Sequence, residues 1–129
     1  MCPIMTHQKR TLLIVDDSLI IRQAIARFLE SFDIEVIATA HNGETALELF
    51  KKFLPDIVTL DITMPGLGGF HVLEEMVKIN KKSKIIVVTA LADKGTGLKA
   101  LKMGASSYLN KPFGPQKFKS AFSRLLENS

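Results

Sequence analysis

The chain of 129 residues is 47% hydrophobic and 23% charged, a length that fits one domain of about 100–150 residues and a balance that excludes a disordered polymer. Its single cysteine, Cys2, excludes a disulfide scaffold and a multi-thiolate metal site, and no apolar run approaches the roughly 20 residues that span a bilayer, so a cytoplasmic location is expected. Charge is uneven: residues 1–69 hold six Lys/Arg against nine Asp/Glu, and residues 70–129 hold eleven against four, which predicts one acidic and one basic region on the same fold.

Short β-branched apolar runs alternate with amphipathic stretches of helical length, the pattern of a parallel α/β sheet. Residues Met1 to Arg10 read as a disordered leader. Strands are predicted over Leu12–Asp16, Glu35–Ala40, Ile57–Asp61, Ile85–Thr89 and Ser107–Asn110. The first, third and fourth are apolar nearly throughout, as central strands covered on both faces must be, and the other two belong nearer the edges. A first helix starts after Ser18 as N-cap and runs to about Phe32, with Ile21, Ala24, Ile25, Phe28 and Leu29 inward. A second spans about Glu44 to Phe53, burying Ala46, Leu49, Phe50 and Phe53 and stopped by Pro55. The third spans about Phe70 to Asn80 around Leu73, Met76 and Val77. A fourth, from Thr96 to Met103, is expected to start weakly because Gly95 and Gly97 each cost a helix about 1 kcal/mol relative to alanine. The last, from Pro115 to Leu126, buries Phe118, Ala121, Phe122 and Leu125.

Such a sheet gathers ligands outside the carboxyl ends of its strands. There the sequence places Asp16-Asp17 after strand one, Asp61 at strand three, Thr89 at strand four and Asn110-Lys111-Pro112 after strand five. Three carboxylates drawn together repel one another unless a cation compensates, and oxygen-only ligands suit Mg²⁺. Lys111 adds a point charge and Thr89 a hydroxyl donor, which together describe a phosphoryl-transfer site. A carboxylate is a competent nucleophile for phosphorus, and the transition state needs mainly charge neutralisation and in-line positioning. Taken singly, Asp17 suits a helix cap, Thr89 a turn and Tyr108 an ordinary edge-strand aromatic; their co-occurrence is what points to chemistry. His41 and His71 are too isolated to serve as ligands. The glycines of Pro65-Gly66-Leu67-Gly68-Gly69 match neither nucleotide-binding motif and predict a mobile loop beside the site.

The segments Val15-Asp16-Asp17-Ser18, Asp61-Ile62-Thr63-Met64-Pro65-Gly66, Val88-Thr89-Ala90 and Lys111-Pro112-Phe113, over about Thr11 to Leu126, resemble the receiver domain of bacterial two-component response regulators of the chemotaxis type. The resemblance implies a single receiver domain over residues 11–129, with a doubly wound, flavodoxin-like five-stranded sheet of order 2-1-3-4-5 and five helices. It implies Asp61 as phosphoacceptor and Mg²⁺ held by Asp16, Asp17, the Asp61 side chain and the Thr63 backbone carbonyl. Lys111 would contact the phosphoryl oxygens, turned toward the site by a cis Lys111-Pro112 bond. Thr89 and Tyr108 match the family's switch pair.

The resemblance further implies a histidine kinase as phosphodonor and a signalling switch, not an enzyme acting on a separate substrate. It would catalyse its own phosphorylation and slow dephosphorylation. Output would pass through a face of helix four, strand five and helix five, which carries Lys94, Lys99, Lys102, Tyr108, Lys117 and Lys119. An acidic effector protein is the expected partner, and the lack of aromatic–basic interleaving argues against nucleic acid. A monomer is expected, weak dimerisation being the alternative. The chain ends at Ser129, directly after the last helix, so no output module is expected. Two rival functions are a phosphorelay intermediate and a small-ester phosphatase with an aspartate nucleophile; the second needs another acid, and Thr63 stands where one would serve.

Overall fold

The alternating runs fold as the sequence predicts. In the computed structural model, residues 10–63, 68–90 and 94–127 are described. In chain order they form β1 (Arg10–Val15), α1 (Leu19–Phe28) with a 3₁₀ turn over Leu29–Ser31, β2 (Ile34–Ala40), α2 (Gly43–Phe53), β3 (Ile57–Asp61), α3 (Gly69–Ile79), β4 (Lys84–Thr89), α4 (Lys94–Lys102), β5 (Ser107–Asn110) and α5 (Pro115–Glu127). All strand pairs are parallel, in the order β2-β1-β3-β4-β5. The two strands of mixed composition are therefore the edges, and β1 and β3 flank the point where the chain reverses its winding direction.

Alternation along the strands splits the core in two. Leu13, Val15, Val58, Leu60, Ile85 and Val87 face α2, α3 and α4, where Phe50, Leu73, Met76 and Ala100 are fully buried. On the other face Leu12, Ile14, Ile57 and Ile86 meet Ile25 of α1 and Phe118 and Phe122 of α5. The Phe118 and Phe122 rings stack at 5.4 Å, and Phe28 reaches Phe118 at 5.6 Å, tying α1 to α5. Each such side chain contributes on the order of 2 kcal/mol by leaving water.

The ends of the elements differ from expectation in ways with local causes. The first strand begins at Arg10 rather than after it; the remainder of the expected leader, residues 1–9, lies outside the described residues. Ser18 caps α1 by accepting from the Ile21 N–H at 3.3 Å, but regular helix ends at Phe28 and a 3₁₀ turn completes the segment. Asn42 caps α2, moving its start to Gly43. At the other end Leu54 adopts φ 44°, a left-handed turn that reverses the chain before Pro55. Phe53, expected inward, stands on that last turn and is 43% exposed. Helix α4 begins two residues earlier than Thr96 despite its glycines. None of the described helices is long and apolar enough to cross a membrane.

Candidate functional site

Both central carboxylates are held by the same local device. Asp16, directly after β1, accepts the Ser18 N–H on Oδ1 at 2.9 Å; Asp61, at the end of β3, accepts the Thr63 N–H on Oδ1 at 2.9 Å. An aspartate that bonds the N–H two residues on forms an Asx turn, natural where a strand turns into a loop. The Thr63 hydroxyl adds a second bond to Asp61 Oδ1 at 2.6 Å, and Arg22 of α1 donates to the Asp16 carbonyl at 2.7 Å. With each Oδ1 so engaged, each Oδ2 turns to one cation. Lys111 Nζ lies 3.0 Å from Asp16 Oδ2 and 3.1 Å from Asp61 Oδ2. The Lys111-Pro112 bond is cis, as the resemblance implied.

Asp16 and Asp61 are each 1% exposed, whereas Asp17 stands in solvent at the rim. Carboxylate oxygens of all three lie within 4.8 Å of one another. Burial, reinforced by the Asp61 charge, pushes the Asp16 carboxyl above the usual carboxylate range, although the Ser18 N–H and Lys111 oppose it. Burial also works against the Lys111 ammonium, but its contacts with Asp16 and Asp61 outweigh that and raise its pKa. Asp16 Oδ2, buried, receives no aligned hydrogen bond and answers only to charge. A buried oxygen of that kind, facing two more carboxylates, fits a hard divalent cation that takes oxygen ligands and keeps several waters.

Thr89, fully buried, ends β4 beside β3, and its carbonyl accepts the Lys111 N–H at 2.8 Å. Half-buried Tyr108 packs against the α2–α4 side of the core, its ring laid on α4 at Gly97. A Cβ at Gly97 would come within 2.5 Å of that ring, so the glycine that weakens the helix is what admits the tyrosine. Gly69 has the same kind of cause. Its Cβ would fall 2.3 Å from Ile62 Cα, which lets α3 start directly against the segment that carries Thr63. Gly68 and Gly69 thus open a helix, while residues 65–67 of the expected mobile loop lie outside the described residues.

The lysines expected to form a partner face lie on α4 and α5. Lys99 of α4 lays its ammonium 4.3 Å from the Phe70 ring centre of α3. Lys102 is exposed, Lys117 and Lys119 lie on α5, and Lys94 opens α4 with a side chain outside the described residues. Sequence reasoning missed the Thr63 hydroxyl, the Ser18 N–H and Arg22 as supports of the acidic pocket. The repeated Asp-x-Ser/Thr spacing would have found the first two.

An acidic pocket at the winding reversal of a doubly wound parallel sheet, with a lysine delivered from the edge strand, is the arrangement of a response-regulator domain. Residues 12–123 match the response regulator receiver domain, and the chain belongs to that family. It is 36% identical over 116 residues to the chemotaxis protein CheY of Thermotoga maritima, covering 90% of this chain and 97% of that protein. It is also 36% identical to CheY of Bacillus subtilis over 115 residues, covering 89% and 96%. Among solved structures, the CheX–CheY–BeF₃–Mg²⁺ complex of Borrelia burgdorferi superimposes with a TM-score of 0.86 at 30% identity, covering 91% of this chain and 89% of that one.

Proposed function

We propose that the chain is a chemotaxis-type signalling switch of the cytoplasm that accepts a phosphoryl group on Asp61 from a phosphohistidine of a kinase. A carboxylate oxygen of Asp61 attacks phosphorus in line, the bond from phosphorus to the imidazole nitrogen breaks, and that nitrogen keeps the electron pair. The product is an acyl phosphate. Attack of water on the same phosphorus returns the carboxylate and inorganic phosphate, so the signal decays by itself.

Asp16, Asp17 and Asp61, with the Thr63 carbonyl, would hold Mg²⁺, which when bound neutralises charge on the transferring phosphoryl oxygens. The Borrelia neighbour, whose complex contains Mg²⁺ and BeF₃, supports that assignment. Lys111 binds the incoming phosphoryl oxygens, for which it must release one of its two carboxylates. The Thr89 hydroxyl donates to an oxygen that exists only after transfer, and Tyr108 moves with it across α4. Output then passes through the α4, β5 and α5 face to an acidic effector. Because each state makes different contacts, phosphorylation acts by shifting the population between them.

The observation that carries this reading is the convergence of three carboxylates within 4.8 Å, two of them on the Lys111 ammonium. Its test is intact-mass spectrometry after incubation with acetyl phosphate, with Mg²⁺ or with chelator, on wild type and Asp61→Ala. One Mg²⁺-dependent phosphoryl adduct, absent from the variant, is expected. An adduct retained in Asp61→Ala would move the acceptor elsewhere.

A further inference from the structure

Apart from the acidic pocket, the surface carries a groove of about 700 Å³ between β5 and α5. Its charged lining is Lys84, Lys117 and Arg124, with Ser107, Gln116 and Ser120 between them and no carboxylate among the lining residues. Lys117, Ser120, Ala121 and Arg124 recur at helical spacing, so α5 turns one continuous face to the groove.

The opposite wall is a strand edge. β5 pairs on one side only, with β4, and the Lys111 N–H donates to Thr89. By alternation Leu109 also faces β4, which leaves the backbone N–H and C=O of Tyr108 and Asn110 directed outward along the free edge, Tyr108 in the groove lining and Asn110 just beyond it. A helical partner has no backbone groups to offer such an edge. An extended peptide has them at every second residue.

We propose that this groove takes an extended acidic segment of a partner protein as a sixth strand beside β5. The segment's backbone pairs with Tyr108 and Asn110, and carboxylates on its α5-facing side meet Lys117 and Arg124. Those two residues stand seven apart on α5, about 10 Å along the axis. Acidic side chains at alternate positions of a strand, about 7 Å apart, fall within reach of both. A second copy of this chain is disfavoured because it would set two basic grooves face to face. Nucleic acid is disfavoured because the Tyr108 ring lies on Gly97 and is not offered for stacking. The inference rests on the proposed output role of the β5 side and narrows its partner to a strand-forming acidic peptide.

The test uses a fluorescent peptide, Glu-Thr-Glu-Val-Glu-Thr-Glu, and two versions N-methylated on one or the other alternate set of amides, titrated against the full chain by fluorescence anisotropy. The parent peptide is expected to bind, and only one methylated version to lose binding. Lys117→Glu and Arg124→Glu, both at exposed positions, should each weaken the parent peptide about tenfold, and amide exchange at Tyr108 and Asn110 should slow in the complex. Equal binding of both methylated versions would overturn strand pairing, leaving only charge capture. No binding by a chain that still forms the acetyl phosphate adduct would overturn the groove while leaving the phosphoacceptor reading intact. Self-association through β5, seen by sedimentation and lost in Arg124→Glu, would make a second copy the occupant and overturn the proposal as well.

Discussion

The Lys111 ammonium lies 3.1 Å from Asp61 Oδ2 and is shared with Asp16, so one cation serves two buried carboxylates. Among the described residues, removing it leaves both without a counter-charge. Lys111→Met is expected to lower stability by about 2 kcal/mol in chelator, less than a fully buried pair would lose because the lysine is partly solvated. Millimolar Mg²⁺ should recover much of that loss, since a divalent ion replaces the missing charge. Urea unfolding with and without Mg²⁺ measures both, and a deficit that Mg²⁺ leaves unchanged would separate the lysine from the metal site.

A second expectation concerns acid. Burial raises the Asp16 pKa, so between its ordinary and its raised value the folded chain binds more protons than the unfolded chain. Stability of the metal-free chain therefore falls as pH rises through that window and stays lowered above it. Asp16→Asn removes the charge that burial opposes and keeps an acceptor for the Ser18 N–H. In chelator the variant should be the more stable protein at neutral pH, by on the order of 1 kcal/mol, and should show no advantage at low pH. Thermal melts across pH check the sign. Lys111 follows the same sign at higher pH: its raised pKa gives a contribution fully present below the ordinary lysine value and lost as pH climbs through the raised one.

Much of this was legible before any coordinates, for physical reasons. Strands buried on both faces must be apolar throughout, so β1, β3 and β4 announced themselves, and the residues that ended them had to share one edge. Asp16, Asp61 and Thr89 follow from that alone, and Lys111 from its place after the mixed edge strand β5. What stayed hidden depends on distances across the chain. Gly97 reads as a weak helix position until the Tyr108 ring is seen against it, and Gly69 reads as loop until its contact with Ile62 appears. Phe53 fits the helical stripe of α2, but the reversal at Leu54 leaves it exposed. Nor could charge counting show that Lys99 spends its ammonium on Phe70 while Lys117 and Arg124 share a groove.

Gly69 gives a sharper test of how the metal ligands are placed. The atoms its Cβ would strike are the Ile62 Cα and carbonyl, the latter at 2.4 Å, and backbone of that kind has no rotamer into which to retreat. Gly69→Ala is expected to cost about 3 kcal/mol and to push the Ile62-Thr63 segment away from α3. Thr63 donates twice to Asp61, so the same change should weaken Mg²⁺ binding, read by calorimetry. Gly68→Ala is the control, because among the described residues nothing lies within 4 Å of a Cβ added there. Equal Mg²⁺ affinity in the two variants would show that the ligand set does not depend on this contact.

The contact between Gly97 and Tyr108 predicts a reversal of sign. In wild type a methyl group at Gly97 meets the ring at 2.5 Å and must displace it, so Gly97→Ala should destabilise by about 1–2 kcal/mol through overpacking. With Tyr108→Ala in the background the obstacle is gone, and the ordinary preference of a helix for alanine over glycine, about 1 kcal/mol, should make the same substitution stabilising. The two effects together give a coupling of about 2 kcal/mol or more in a double-mutant cycle. Tyr108 is the only tyrosine and there is no tryptophan, so its intrinsic fluorescence reports the ring directly. In Gly97→Ala that emission should shift even without phosphodonor, as the ring leaves its seat on α4. An unchanged spectrum together with additive stabilities would mean that α4 gives way instead of the ring, and the ring could not then be the element that the helix holds in place.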